Sequence, residues 1–365
     1  MKIVLASGIY YPEIGGPALL VKDLADEFIK TQDVLILTYS NEYEVVTKQN
    51  GNLSVKRIIR HNKISNMFRY FLLSLTDIKK DDKVFVFDIF SAALPVYLAS
   101  FIRRYKYTVR LGGDFLWEMS VNKFDKKQNI LDFYNSKFNL IEKIYFFFIK
   151  RILKRADKII STTDFQKDLV IEYYKIKESK FIDITNPFPE LDYKCVQQKE
   201  NKIIFAGRFS KLKNLDSLIK VMPYFKDYKL YLIGEGPEKD NLSNLIKELN
   251  LEEQVKISKP LFKEDLYNEI CKAKLTVLPS YTDITPNTIL LAIKLNTPVL
   301  MTKYSGFYKM FKNNLLFLED PSNLNELKDK ISLILNNNSE YLDKLSKTNT
   351  SFTRTEMINK YLDLI

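Results

Sequence analysis

Two cations in the second half of the chain lie where an anionic group could bind. Arg208 and Lys213 belong to the segment GRFSKLKN (207–214), which follows the apolar run KIIFA. Such a run predicts a buried strand, and the turn after it should be exposed at the edge of a sheet. Cations placed there can neutralise phosphate oxygens, most strongly those of a leaving group on which charge develops. The alternative is a solvent-exposed basic turn without a ligand.

Backbone donors are predicted at the start of a helix in the segment LPSYTDITPNTILLAI (278–293). Thr285 is a residue type that caps helices, and Pro286 suits the first helical turn. The free N–H groups near Asn287 and Thr288 could then receive a diphosphate, because helix N-termini favour anions.

Glycine turns follow two other predicted strands. Gly15 and Gly16 close the segment GIYYPEIGGP, and Gly234 and Gly236 lie in LIGEGPE. Glycine lets the backbone approach a ligand closely, and a helix begins just after Gly16. The alternative for each pair is a plain turn without a ligand.

The elements that must position these residues alternate between short apolar strands and helical stretches. This alternation predicts parallel sheets with helices on both faces, whose ligands bind beyond the carboxyl ends of the strands. The segment 184–202 has two prolines, a polar run and no periodicity, and it is predicted to link two such units.

In order and spacing, the segments 203–214, 230–238 and 278–293 resemble the nucleotide-sugar-binding half of glycosyltransferases of family 4. The resemblance implies an α/β GT-B fold, with two doubly wound Rossmann-like domains and a cleft between them. It divides the chain into an acceptor-side domain (1–185), a nucleotide-sugar-binding domain (186–345) and a C-terminal helix packed back on the N-terminal domain (346–365).

The resemblance also implies roles for individual residues. Asp283 stands where family members have an acid that contacts the donor sugar, and the segment GGDFLWE offers Asp114 for the acceptor or sugar and Trp117 for stacking. For the last two, a helix-capping Asp and a core Trp are the alternatives. The catalytic candidates are Arg208, Lys213, Asp283 and Asp114. The candidates for nucleotide-sugar binding are Gly15, Gly16, Gly207, Gly234, Gly236, Lys259, Pro260, Leu261, Thr285, Pro286, Asn287, Thr288 and Leu291.

Leu291 departs from the family pattern. Family members have a second Glu at this place, which holds the ribose hydroxyls of the nucleotide. Leucine cannot accept a hydrogen bond. Either the ribose is held otherwise, or donor binding is weakened, or the protein is not catalytic.

Composition limits the chemistry. His61 is the one histidine, which excludes mechanisms and metal sites that need two. Cys195 and Cys271 cannot form a disulfide framework or a cysteine-based zinc site, and a reduced, cytoplasmic chain fits. No secretory signal or membrane-spanning run is recognised. Metal and cofactor are expected to be absent, and the donor substrate would be a nucleoside diphosphate sugar.

The charge predicts an anionic partner. The net charge is +11, and residues 101–160 hold 14 Lys and Arg against 6 Asp and Glu, a net of +8. The segment KFNLIEKIYFFFIKRILKRADK (137–158) could lie at the anionic inner face of a membrane. A buried amphipathic helix with a solvated cationic edge is the alternative.

The expected activity is transfer of a sugar to a glycan or lipid-linked acceptor, with retention of anomeric configuration, in polysaccharide biosynthesis. One rival is a non-catalytic nucleotide-sugar-binding or scaffold subunit, suggested by Leu291. Another is a DNA-modifying glycosyltransferase, suggested by the charge. The absence of a basic arm or a known nucleic-acid motif argues against the second rival.

Overall fold

The computed structural model describes residues 1–13, 15–41, 47–49, 51–193, 195, 198–261, 263–348 and 352–365. These residues form two compact units. The first comprises Met1–Leu116, Lys137–Thr185 and Thr355–Ile365, and the second comprises Trp117–Ser136 and Asn186–Arg354. Residues 117–136 group with the second unit although the sequence-based division puts them in the first domain. That division remains a prediction about folding domains.

The sheet of the first unit is parallel except at one edge. Its described strands lie in the order β3-β4-β2-β1-β5-β6-β7-β8, and only the pair β3–β4 is antiparallel. The strands are β1 (Ile3–Ala6), β2 (Val34–Ser40), β3 (Thr47–Gln49), β4 (Leu53–Ile59), β5 (Lys83–Val86), β6 (Tyr107–Arg110), β7 (Lys158–Ser161) and β8 (Phe181–Asp183).

The sheet of the second unit is parallel throughout its described strands, in the order β11-β10-β9-β12-β13-β14. Counted within the unit this is the order 3-2-1-4-5-6 of doubly wound nucleotide-binding folds. The strands are β9 (Glu200–Ala206), β10 (Lys229–Ile233), β11 (Val255–Ser258), β12 (Ala273–Leu278), β13 (Val299–Thr302) and β14 (Leu316–Leu318).

Helices connect the strands, as a parallel sheet requires. They are α1 (Gly16–Phe28), α2 (Lys63–Asp77), α3 (Ala93–Arg103), α4 (Phe115–Phe124), α5 (Ile130–Asn135), α6 (Leu140–Arg155), α7 (Asp164–Tyr174), α8 (Leu215–Val221), α9 (Lys239–Glu248), α10 (Lys263–Lys272), α11 (Asn287–Lys294), α12 (Tyr308–Phe311), α13 (Leu324–Asn336), α14 (Asn338–Ser346) and α15 (Arg354–Leu362).

Continuous apolar strands form the cores. All four residues of β1 are buried, as are the last five of β9, which is the pattern of strands covered by helices on both faces. At the end of the chain, α15 buries Tyr361 in the first unit, where its ring lies 6.1 Å from Phe85 and 6.4 Å from Phe87. The predicted α/β class with two parallel sheets is confirmed.

Cys195 and Cys271 form a disulfide within the second unit, with their Cα atoms 5.5 Å apart. The expectation of a fully reduced chain is therefore wrong for this pair. Sequence could not reveal it, because 76 positions separate the two residues and only the fold brings them together.

Among the helices of the described residues, none is long and apolar enough to cross a membrane.

Candidate functional site

The candidate site of the second unit lies at the carboxyl ends of β9 and β12. These strands are neighbours, and the chain proceeds from β9 toward one edge of the sheet and from β12 toward the other. Such a reversal of strand order opens a crevice at the sheet edge, where doubly wound folds bind their ligands. The segments with Arg208 and Asp283 follow these two strands directly.

Arg208 is a cation available to a ligand. Its side chain is exposed, and among the described residues it has no hydrogen-bond or ion-pair partner. The other cations of the same segment are engaged. Lys211 pairs with Asp125 at 2.7 Å, and this hydrogen bond lowers the pKa of the Asp125 carboxyl.

Lys213 and Asp283, predicted separately from sequence, are brought together. Lys213 Nζ lies 2.5 Å from Asp283 Oδ2, and the two side chains are 23% and 11% exposed. The Asp283 backbone is fixed in turn, since its N–H donates to Tyr304 O at 3.1 Å. An ammonium group has three N–H donors, so Lys213 keeps capacity for an anion while it holds Asp283.

Asn214 positions the segment that carries these cations, and sequence reasoning missed it. Its backbone is left-handed, with φ of 51°, and its side chain is 1% exposed. The Nδ2 group donates to Pro279 O at 3.2 Å and to Pro321 O at 2.7 Å, which ties the turn after β9 to the turn after β12. An Asn at the end of a basic turn is a signal for left-handed backbone that could have been read.

The glycines after β10 have a packing reason. A Cβ at Gly234 would collide with the carbonyl oxygen of Gly207, and one at Gly236 would collide with the backbone of Phe209. The Phe209 N–H donates to Glu235 O at 2.8 Å, so the turns after β9 and β10 lie directly against each other. Close approach of protein backbone therefore explains Gly234 and Gly236 without a ligand.

The start of α11 differs from its predicted form. Pro286, not Thr285, occupies the cap position, and no side chain caps the helix. In this turn the backbone carbonyl of Thr285, rather than its side chain, accepts a hydrogen bond, from the Asn287 N–H at 2.8 Å. Thr288 Oγ1 donates to Ala206 O at 2.9 Å, while the Thr288 N–H has no acceptor in the described part of the chain. One backbone donor at this end of α11 thus has no acceptor among the described residues.

Leu291 lies on α11 and belongs to the hydrophobic core. It is 7% exposed among the buried side chains of the second unit. Lys259 and Pro260 follow β11 and are exposed, whereas Leu261 packs partly against that core.

In the first unit, Gly15 is the cap of α1 and Gly16 is its first residue. The strand order reverses here as well, because β1 lies between β2 and β5. A Cβ at Gly15 would lie 2.7 Å from Ile9 Cδ1, whereas one at Gly16 would meet nothing within 4 Å. Only Gly16 is therefore unexplained by packing.

Arg60 shapes the same loop and was missed in the sequence. It donates to Glu13 Oε1 at 2.9 Å and to Gly8 O at 3.0 Å, which clamps the backbone between β1 and α1.

Asp114 and Trp117, both predicted to contact a sugar, differ in their exposure to solvent. Asp114 immediately precedes α4, is partly buried and lines a small cavity of about 20 Å³ with Gln166. Trp117 is 3% exposed and donates its indole N–H to Gln128 O at 2.9 Å. The hypothesis that Trp117 stacks on a sugar is wrong, because the ring is buried in the core.

No group of three or more metal-ligating side chains occurs within the described ranges.

Comparisons with known proteins bear on this geometry. Residues 194–352 match the model of the family described as glycosyl transferases group 1. The sucrose-phosphate synthase of Thermosynechococcus elongatus superposes on this chain with a TM-score of 0.73 at 14% identity, covering 100% of this chain and 98% of that one. The fold is GT-B.

Two curated relatives share part of the chain. An uncharacterized glycosyltransferase of Haemophilus influenzae is 30% identical over 53% of this chain and 56% of its own length. The O-antigen chain mannosyltransferase RfbU of Salmonella typhimurium is 25% identical over 56% of this chain and 61% of its own length. The chain thus spans little more than half the length of these relatives. The matches support a glycosyltransferase.

Proposed function

We propose that this chain is a glycosyltransferase that moves a sugar from a nucleoside diphosphate sugar to a glycan or lipid-linked acceptor. One observation carries the proposal. Arg208 is an exposed cation without a carboxylate partner in the described structure, and it follows the strand at which the sheet order reverses. A diphosphate is the anion that such a site in a GT-B fold suits.

The reaction breaks the bond between the anomeric carbon and the diphosphate oxygen, so negative charge grows on the departing diphosphate. Arg208 would meet that charge with a planar pair of N–H groups, and the Thr288 N–H would add a backbone donor. The pair formed by Lys213 and Asp283 would supply a held ammonium group beside a carboxylate for sugar hydroxyls. These charges act most strongly when they are fixed before the reaction.

The finer parts of the proposal rest on the sequence resemblance. They are membership of family 4, retention of anomeric configuration and a donor site that needs no metal. The mannosyltransferase RfbU, named for O-antigen chains, supports a polysaccharide acceptor. The burial of Leu291 favours a nucleotide site rebuilt around an apolar side chain.

A screen of nucleoside diphosphate sugars tests the activity. Each sugar is incubated with the protein, and release of nucleoside diphosphate is measured with and without a lipid-linked glycan acceptor. Wild type should turn over at least one donor, and Arg208→Ala should be slower by about 100-fold or more, the scale of losing one transition-state donor. Donors that bind but are never turned over would instead support the non-catalytic subunit that Leu291 suggests.

A further inference from the structure

Three helices of the first unit expose an unusual amount of apolar surface. Eleven large apolar side chains are at least half exposed in the described part of the chain, and six of them lie on α2, α3 and α6. They are Ile64, Phe68, Phe101, Ile102, Leu140 and Phe147, with exposed fractions of 83%, 58%, 52%, 64%, 75% and 50%. Isolated apolar side chains on a surface are ordinary, but a concentration on neighbouring helices marks an interaction site.

Four of these side chains, Phe68, Phe101, Ile102 and Phe147, line two adjoining grooves. A groove between α2 and α3 is lined by Phe68, Leu98 and Phe101, and an adjoining groove between α3 and α6 is lined by Phe101 and Phe147. Phe101 lines both grooves, so the apolar surface runs across the three helices. Along α6, the residues at positions 140, 144, 147 and 151 share one helical face. We call this surface the α2–α3–α6 face.

Cations border the apolar part of this face. The helix α6 carries five Lys and Arg against one acid, Glu142, and that acid is buried in the capping box at its N-terminus. Lys150, Arg151 and Lys154 have no carboxylate partner among the residues that the structure describes. Arg151 stacks over the Phe147 ring at 4.6 Å, which holds a guanidinium group directly at the apolar border.

Arg155 has a separate, structural role. Its Nε donates to Ser100 Oγ at 2.7 Å, and its Nη2 donates to Ser100 O at 3.0 Å. These bonds tie α6 to α3, and the guanidinium lies 4.1 Å from the Phe101 ring. Arg155 therefore stabilises the face, and it is left intact in the variants below.

We propose that the α2–α3–α6 face docks on the surface of an anionic lipid bilayer. The apolar side chains would enter the boundary between headgroups and acyl chains, while Lys150, Arg151 and Lys154 extend to headgroup phosphates. A second copy of the chain fits worse, because a two-fold contact through this face would bring the same unpaired cations together. A nucleic acid would leave the apolar side chains exposed. The proposal does not rest on the enzymatic function.

The electrostatic part is tested by flotation of the full chain with vesicles. Phosphatidylcholine vesicles are compared with vesicles that contain 30% phosphatidylglycerol, at low and high salt. Each basic residue near such a surface contributes roughly 1 kcal/mol, so the variant Lys150→Gln/Arg151→Gln/Lys154→Gln should lower the partition coefficient on anionic vesicles by about 100-fold. High salt should weaken wild-type binding, since exposed charges are then screened.

A matched control variant distinguishes binding through the α2–α3–α6 face from a general effect of the net charge of the chain. Lys226, Lys229 and Lys247 are exposed lysines of the second unit. The variant Lys226→Gln/Lys229→Gln/Lys247→Gln removes the same charge and should change vesicle binding by less than about threefold. An equal loss in both variants would overturn the proposal in favour of a general charge effect.

Insertion of the apolar part is tested by fluorescence. The native chain has one tryptophan, Trp117, which is 3% exposed and should not respond to vesicles. In the variant Phe147→Trp, the new indole should shift to shorter wavelength on anionic vesicles and be quenched by brominated acyl chains. Phe68→Ser and Ile102→Ser should weaken binding, whereas Leu333→Ser, a 46% exposed position on α13, should not.

Three further results would contradict the proposal. The first is equal binding of wild type to neutral and anionic vesicles. The second is a Phe147→Trp variant that binds vesicles without spectral shift or quenching. The third is light scattering that shows dimers in wild type and monomers in the Lys150→Gln/Arg151→Gln/Lys154→Gln variant, which would assign the face to contacts between copies.

Discussion

At the scale of single residues, the central finding is that the three cations of the segment 207–214 have different partners. Arg208 is available, Lys211 pairs with the exposed Asp125, and Lys213 pairs with the nearly buried Asp283. Sequence predicted Arg208 and Lys213 as equivalent phosphate ligands. It could not separate them, because the carboxylate partner of Lys213 lies 70 positions away along the chain, while Arg208 has no carboxylate partner among the described residues.

The Lys213 pair should therefore matter for stability as well as for binding. Lys213→Ala leaves the Asp283 carboxylate, 11% exposed, without its cation, and we expect a loss of about 1–3 kcal/mol in the free energy of unfolding. Lys211→Ala breaks an exposed pair in the same segment and should cost less than about 1 kcal/mol. Urea denaturation measures both. Equal losses in the two variants would contradict the difference in burial.

Leu291 stands where members of family 4 have a Glu. Because Leu291 is buried, we expect Leu291→Glu to be destabilising. Leu291→Glu puts a carboxylate among apolar neighbours, so the melting temperature should fall and nucleoside diphosphate binding should not improve. Leu291→Met, of similar volume, is the control and should cost less than about 1.5 kcal/mol. Tighter binding by Leu291→Glu at unchanged melting temperature would mean that the ribose still lies at this position.

At the scale of elements, the turns after the strands divide into those fixed by packing and those open to a ligand. Gly236→Ala should destabilise the fold by at least about 2 kcal/mol, because its Cβ would collide with the Phe209 backbone where φ is +157°. Gly16→Ala should leave the melting temperature unchanged or raise it, since a Cβ there meets nothing within 4 Å. A stable Gly236→Ala variant would show that the two turns are not in contact.

Lys199, which directly precedes β9, makes a pH-dependent contribution that lowers the stability of the folded chain. Burial lowers the pKa of Lys199 to about 8 from 10.5, and its Nζ donates to Thr297 Oγ1 at 2.9 Å. Between these two pKa values the unfolded chain binds more protons than the folded chain, so wild-type stability rises with pH across that window.

A substitution isolates this contribution. Lys199→Met should be more stable than wild type at pH 7, and the difference should shrink as pH rises from 8 to 9.5. The exposed Lys226→Met serves as the control and should show no such trend. A Lys199→Met difference that is independent of pH would contradict the assignment to this lysine.

At the scale of the whole molecule, the alternation of strands and helices was enough to predict two parallel sheets. The GT-B fold was predicted from the resemblance of three segments to glycosyltransferases of family 4, not from the alternation. Local patterns place residues at strand ends, and the order of a doubly wound sheet brings β9 and β12 side by side. The predictions that were wrong concerned features that depend on tertiary contacts. Trp117 is buried and donates its indole N–H to Gln128 O, and the cap of α11 lies one residue later than predicted. The disulfide joins Cys195 to Cys271, which only the fold brings together.

The most direct test of the central claim is calorimetric titration of nucleoside diphosphates into wild type and Arg208→Gln. We expect at least one nucleoside diphosphate to bind wild type. Arg208→Gln should bind it at least about tenfold more weakly at unchanged melting temperature, because a charge-assisted hydrogen bond contributes roughly 1.5–3 kcal/mol. Equal affinity in the two proteins, or no binding of any nucleoside diphosphate to wild type, would contradict the claim.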